Sequence, residues 1–397
     1  MQTIVQKYGG SSVSTTKKIE KVAKSIIEKK KQGYNLVVVV SAMGNTTNEL
    51  IKLSLEVSKA PDKRELDALI ATGEMVSSSL LAIKLKDLGF DAISFNAFQI
   101  NLKTNGIYGK SSISDIDEDI INSQLKKGKI VIIAGFQGIS DDNEITTLGR
   151  GGSDTSAVAL SVKLNAKCEI YTDVDGIYGV DPRLYKEAKK LDEISYEEML
   201  ELASLGAGVM HARAVELGQK YNKEIYVGLS CSNIKGTYIT EGLEMEKRAV
   251  SGIAVSDDDI AINIENIDYD INLIAKIFTN IAKANINVDM ISQTMPFNNK
   301  INISFTVPKA DTNDILKLLK TFISFDNIKV DENITKFSVV GMGMKDSSGI
   351  AARLFEIFKE NNIEIKMITT SEIRITCAID SKYKEVAISN VAKFFDL

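Results

Sequence analysis

Apolar residues in the first part of the chain fall into short unbroken runs. Leu36 to Val40 and Ile130 to Ala134 are apolar at every position, as expected of strands buried on both faces of a parallel sheet. Thr3 to Val5 opens a shorter strand that ends at Lys7, and Glu169 to Thr172 reads as another. Between these runs the apolar spacing changes to three and four. It predicts a helix from about Thr15 to Lys30, a long helix over Leu66 to Leu88, and a third marked by Ala157, Leu160 and Leu164. Strands alternating with helices through about residue 235 predict an α/β fold, a doubly wound sheet sandwiched by helices.

The second half repeats itself. Ile271 to Gln293 aligns with Ser348 to Thr370 at a shift of 77 residues, and Lys300 to Val307 aligns with Glu372 to Ile379 at 72. The first copy therefore carries a hairpin five residues longer, MPFNN. Each copy reads strand, helix, strand, strand, helix, the order of a ferredoxin-like unit. Positions such as Ile350, Leu354, Phe355 and Phe358 form a core-facing helical stripe, and no catalytic constellation appears in this half.

A chain of 397 residues exceeds one ordinary core, so two or three domains are expected. Forty-eight basic against 53 acidic residues give a net charge of −5 with no long basic run, which argues against nucleic acid as the main partner. Cys168, Cys231 and Cys377 are few and far apart, which fits a reducing compartment better than a disulfide framework. The N-terminus enters a strand directly and no apolar segment reads as long enough to span a bilayer, so a cytoplasmic protein is expected. His211 is the single histidine. Catalysis should then fall to lysine, arginine, carboxylates and backbone rather than to a histidine-based triad or metal site.

Candidate chemistry gathers in polar loops that follow the buried strands. The richest is Thr146 to Val158, TTLGRGGSDTSAV. Gly149, Gly151 and Gly152 let backbone N–H groups approach an anion, the helix start adds a positive dipole end, and Arg150 offers a planar fork for a carboxylate or phosphate. Asp154 places a negative charge in the same spot and calls for a cation: a lysine, a substrate ammonium or Mg²⁺. A plain turn capped by Ser153 or Asp154 is the alternative. Lys7 precedes a Gly9–Gly10 turn, a phosphate-binding geometry whose spacing is not that of a Walker A loop. Ser41, Gly44, Thr46, Thr47 and Asn48 cluster beyond the second strand, where open α/β sheets bind ligands. Glu74 lies among small residues, where a carboxylate needs a partner if buried. Asp173, Asp175, Asp181, Tyr178 and Arg183 crowd the loop after Thr172; Asp-Gly turns or a nucleotide loop would each explain them.

The series KYGGSSV, SAMGNTTN, TGEMVSS, GFQGI, TTLGRGGSDTSAVAL, YTDVDGIYGVDPR and SLGAGVMHARAVEL, in this order, resembles the aspartokinases of the amino acid kinase family. The repeats resemble that family's paired ACT domains. The resemblance implies a catalytic domain over residues 1–245 and ACT domains over 246–335 and 336–397. It implies phosphoryl transfer from MgATP to the β-carboxylate of L-aspartate, the first step towards lysine, threonine and methionine and, in bacteria, diaminopimelate. Lys7 and Asp154 would be catalytic, with Mg²⁺ arriving on ATP rather than at a protein-only site. Lys7, Tyr8, Gly9, Gly10, Thr172, Asp173, Tyr178 and Arg183 would hold ATP. Ser41, Thr47, Phe136, Gly151, Gly152 and Ser153 would line the aspartate pocket, Glu74 would hold the aspartate ammonium and Arg150 its α-carboxylate.

The resemblance also implies homo-oligomers paired through ACT domains, with no membrane partner. An allosteric amino acid, lysine alone or with threonine, would bind near Asp268, Asn272, Asp346, Ser348, Gly349 and Ile350. Two positions depart from the family pattern: Gly208 stands where a nucleotide-associated lysine is common, and Ala212 replaces a proline after His211. Two competing readings are an amino-acid sensor without kinase activity and another small-carboxylate kinase, such as an acetylglutamate kinase. Glu74, which suits a free ammonium, argues against the second.

Overall fold

The computed structural model describes residues 2–206, 208–242, 249–345, 347 and 349–397. The chain forms two compact units: Met1–Ile177 with Lys190–Ala203 and Gly208–Leu243, and Tyr178–Lys189 with Ser204–Ala207 and Glu244–Leu397.

The first unit runs β1 (Thr3–Tyr8), α1 (Thr16–Lys31), β2 (Asn35–Val40), α2 (Thr46–Val57), α3 (Lys63–Ile70), α4 (Thr72–Asp87), β3 (Ala92–Phe95), β4 (Lys103–Thr104), β5 (Ile113–Asp115), α5 (Glu118–Lys126), β6 (Ile130–Ala134), β7 (Gln137–Ile139), β8 (Ile145–Thr147), α6 (Gly152–Lys163), β9 (Lys167–Thr172), β10 (Glu193–Ser195), α7 (Tyr196–Ser204), α8 (Ala212–Lys220), β11 (Ile225–Leu229) and β12 (Thr237–Thr240). Its eight-stranded sheet has the order β10-β12-β11-β9-β1-β2-β6-β3 and is parallel except between β11 and β12. The connection direction reverses at β1, which pairs with β2 on one side and β9 on the other. That switch point leaves a crevice beyond the carboxyl ends of the central strands.

The central strands are apolar throughout because helices cover both faces. Ile4, Val38, Val40 and Ile132 pack with Val22, Ile26, Leu81 and Leu85 of α1 and α4. The opposite face meets α6, which is buried from Gly152 to Ser161. Thr15 caps α1, its side chain accepting from the Lys18 N–H. The expected single helix over Leu66 to Leu88 is two, α3 and α4, divided at Ala71. Together they form a 25-residue helical stretch, Lys63–Asp87, long and apolar enough by length and composition to cross a bilayer, contrary to the expectation from sequence. Half of its apolar window is buried inside the protein, as in a core helix. A small sheet of order β5-β4-β7-β8, built from strands of two or three residues, was not expected.

The second unit holds β13 (Gly252–Ser256), β14 (Asp259–Asp268), α9 (Ile271–Lys283), β15 (Ile291–Gln293), β16 (Lys300–Pro308), α10 (Thr312–Leu319), β17 (Ile328–Asp331), β18 (Ile334–Val340), α11 (Ile350–Glu360), β19 (Ile365–Thr370), β20 (Arg374–Asp380) and α12 (Lys384–Phe395). Both repeats follow the expected order, each with its own core under a four-stranded sheet. The sheets are β15-β16-β14-β17 and β13-β18-β20-β19. β13 lies before the first repeat in sequence yet pairs antiparallel with β18 of the second, Gly252 opposite Val340. A contiguous domain over 246–335 therefore needs correction at this strand, which serves the other sheet. The expected junction at 245 and 246 lies outside the described residues.

Candidate active site

The site is built where β1, β2 and β6 end. Alternation along β1 puts Lys7 on the Val5 face, towards α6, and Tyr8 on the other. Lys7 Nζ lies 2.6 Å from Asp154 Oδ1 in the first turn of α6, both side chains almost buried. This is an ion pair whose angles fall outside hydrogen-bond geometry. The cation that Asp154 called for is thus Lys7. Gly151, with φ +67, caps α6, so Ser153 and Asp154 are not its caps but lie inside the first turn. A Cβ on Gly151 would stand 2.1 Å from His211 Cβ, so the histidine ring covers this glycine. Phe136 follows β6 with φ +70, a conformation rare for an aromatic residue, and packs on Gly152. Its N–H donates to Ser156 Oγ (3.1 Å) and its carbonyl accepts from Leu148 N (2.9 Å). Ser153 packs against Gly135.

Gly9 and Gly10 turn the chain out of β1. The Gly9 N–H donates to Tyr171 O, and Gly10 runs so close to the next loop that a Cβ would sit 2.7 Å from Ala42 O. Ser41 N donates to Tyr8 O (3.1 Å), which ties the β2 loop to the same strand end. Glu74, in the first turn of α4, is 3% exposed. Its Oε1 accepts from Ala42 N at 3.0 Å, while Oε2 has no hydrogen-bond partner among the described residues. Burial pushes this carboxyl up to about 7, against the opposing pull of the Ala42 N–H. Ser77 Oγ donates to Ser41 O (2.7 Å), binding α4 to the β2 loop. Thr47 is half-buried in the first turn of α2, and Arg150 is exposed in the turn before α6.

Beside this crevice, Ser11, Ser12, Lys18, Thr172, Asp173 and Ser230 line a cleft of about 240 Å³ at the ends of β9 and β11. Thr172 Oγ1 donates to Asp173 Oδ1 (3.0 Å). Tyr8 requires correction: its side chain is fully buried and stacks on Tyr171 with ring centroids 5.1 Å apart, so only its backbone can face a nucleotide. Tyr178 and Arg183 belong to the second unit, where the exposed Arg183 guanidinium pairs with Asp181 at 2.6 Å. Reading from sequence missed Ser230 and the cleft-lining Lys18 and Lys21. The strand-end rule that marked Thr172 would also have marked Ser230, one residue beyond β11.

The profile of the amino acid kinase family matches residues 2–228, and that of the ACT domain matches residues 265–321 and 337–395. Aspartokinase 2 of Bacillus subtilis (strain 168) is 45% identical, covering 100% of this chain and 98% of its own length. The chain belongs to the aspartokinase family. It is a kinase, with an amino acid kinase domain and a pair of ACT domains. The crystal structure of aspartate kinase from Synechocystis is 38% identical, with TM-score 0.57, covering 100% of this chain and 69% of that one. The E. coli aspartokinase III structure in complex with aspartate and ADP has TM-score 0.81 over 99% of both chains; at 22% identity the likeness is one of fold.

Among the described residues of this aspartokinase, no group of three or more His, Cys, Asp or Glu is placed to hold a metal. At Gly208, where aspartokinases commonly carry a lysine, a Cβ would meet nothing within 4 Å, so space does not explain the glycine. In the first ACT domain, Asp268 pairs with Lys300 at 2.9 Å. The Asn272 N–H donates to the capping Asp270 side chain at 2.9 Å. Gly349, with φ +97, precedes Ile350 at the start of α11. Asp346 and Ser348 lie outside the described residues.

Proposed function

We propose that this enzyme transfers the terminal phosphoryl group of MgATP to the β-carboxylate of L-aspartate, giving 4-phospho-L-aspartate and ADP. Glu74 carries the reading. A buried carboxylate with one oxygen uncommitted suits the α-ammonium of an amino acid and disfavours an N-acylated one. Arg150 takes the α-carboxylate as a fork, and Ser41, Thr47, Phe136, Gly151, Gly152 and Ser153 shape the pocket. Gly9 and Gly10 present backbone to the phosphates, and Thr172 and Asp173 with the neighbouring cleft receive the nucleoside. Mg²⁺ comes as part of the nucleotide substrate.

The nucleophile is a carboxylate already ionised at neutral pH, so no histidine base is needed. One of its oxygens forms the new P–O bond as the bond to the ADP oxygen breaks. Lys7 meets the charge on the transferred group, and Asp154 holds the Lys7 ammonium in place across 2.6 Å. Further parts of the proposal are a cytoplasmic enzyme opening the lysine, threonine and methionine route, homo-oligomers joined through ACT domains, and feedback by lysine alone or with threonine. The working division is residues 1–245, 246–335 and 336–397, with Gly252–Ser256 counted in the last sheet. The test is ADP release with ATP and either L-aspartate, N-acetyl-L-aspartate or N-acetyl-L-glutamate, with lysine and threonine titrated separately and together. Turnover restricted to aspartate supports the assignment; equal turnover of the acylated acids refutes it.

A further inference from the structure

A buried carboxylate and a guanidinium that play no part in the reaction above converge on the segment leading to Arg150. Asp67, in α3, is 1% exposed. It accepts from Thr147 N at 2.7 Å and Thr147 Oγ1 at 2.9 Å, and from Gly109 N at 2.9 Å. Arg213, in the first turn of α8, spreads its guanidinium over two carbonyls: Leu148 O at 2.5 Å and Ser111 O at 2.8 Å. Ser111 N in turn donates to Thr147 O at 2.9 Å. The loop Gly109–Ser111 and the strand end Thr147–Leu148 are therefore clamped together, by an anion on their N–H groups and a cation on their carbonyls. Charge-assisted bonds of this kind are the strong ones.

Beyond the clamp the chain has little freedom. Gly149 and Gly151 both hold positive φ, +76 and +67. Gly149 runs so close to the clamped loop that a Cβ would lie 2.8 Å from Gly109 O, and His211 covers Gly151. Arg150 stands between these fixed neighbours. We infer that Asp67 and Arg213 are positioning residues for aspartate, fixing the direction in which Arg150 presents its fork. This rests on Arg150 binding the aspartate α-carboxylate. Neither residue touches the nucleotide cleft, so the effect is confined to the amino acid.

Four variants test it by steady-state kinetics in both substrates: Asp67→Asn, the milder Thr147→Val, Arg150→Ala, and Asp67→Asn with Arg150→Ala. Asp67→Asn should raise KM for aspartate about tenfold, because a small misplacement of a binding group is costly, with KM for ATP unchanged. Thr147→Val should move KM for aspartate the same way by less. In the Arg150→Ala background, Asp67→Asn should add nothing, because its route of action is gone. A folded Asp67→Asn enzyme with unchanged KM for aspartate, or additive losses in the double variant, overturns the inference. If Asp67→Asn does not fold, Thr147→Val decides on the same readout. If Arg150→Ala itself leaves KM for aspartate unchanged, the assignment of Arg150 fails, and the inference with it.

Discussion

Replacing Glu74 by glutamine should weaken substrate binding and stabilise the protein at once. The two effects share one cause, a charge held in a place that water does not reach. Glu74 is 3% exposed; its Oε1 accepts from Ala42 N, and its Oε2 has no hydrogen-bond partner among the described residues. Burial raises its pKa from 4.5 to about 7. A carboxyl whose folded pKa lies above its unfolded value costs stability as pH rises between the two. Below about 4.5 both states are protonated and nothing is lost, and above about 7 the full penalty applies. The shift corresponds to about 3 kcal/mol at pH 8. Glutamine keeps the shape and can still accept from Ala42 N, so Glu74→Gln should recover much of that penalty. At pH 8 the melting temperature should rise by roughly 5 °C. At pH 5 the gain should shrink to roughly a quarter of that.

On the proposed reading, the same change removes the partner of the substrate ammonium. A hydrogen bond to a charged group contributes about 1.5–3 kcal/mol, so KM for aspartate should rise on the order of 10- to 100-fold with KM for ATP little changed. In the parent enzyme, kcat/KM for aspartate should fall as pH drops through about 7, because protonated Glu74 cannot hold a cation. Glu74→Gln should abolish that limb. Differential scanning calorimetry at pH 5 and 8, with kinetics over the same range, measures both arms. An unchanged KM for aspartate would refute the ammonium role. An unchanged melting temperature at pH 8 would mean that the carboxylate has a permanent counterion, and the argument from burial would fail.

Three further substitutions probe the frame around it. Lys7→Ala removes the cation proposed to face the transferred group and strands Asp154; kcat should drop by at least on the order of a hundredfold, and near-normal turnover would remove Lys7 from the mechanism. Gly151→Ala forces a side chain into the left-handed region and onto His211; calorimetry should show a loss of about 1–2 kcal/mol or more, and KM for aspartate should rise. In the second unit, Lys336 of β18 lies 2.8 Å from Asp259 and 2.7 Å from Asp289. Burial works to lower its pKa, and the two carboxylates more than reverse that, leaving it raised. Lys336→Ala leaves both aspartates without this partner and should cost roughly 2–4 kcal/mol in denaturant unfolding. An unaltered midpoint would show that the cluster does not help hold the two ACT sheets together.

What could be read from the sequence follows from where each residue's partner lies. Leu36 to Val40 and Ile130 to Ala134 announced themselves because a strand covered on both faces has no polar positions to confuse its pattern. The small sheet did not, because a strand of two residues such as Lys103–Thr104 has no period to detect. β13 pairs with β18, which lies beyond the whole first repeat, and no local feature reports that crossing. The Tyr8 side chain is turned away from the Lys7 side because adjacent residues of a strand point to opposite faces.

The site residues divide the same way. Asp154 and Glu74 were conspicuous because each breaks a local rule: a negative charge in an anion cradle, and a carboxylate among small residues. Such violations collect where function outweighs local fit. Asp67 and Arg213 break no rule. Each is a polar residue in a helical pattern that could as well face water, and their partners lie 80 and 65 positions away. A buried charge that breaks a local pattern is thus legible in sequence, whereas a buried charge whose partners are distant backbone groups looks locally ordinary and emerges only when the chain is folded.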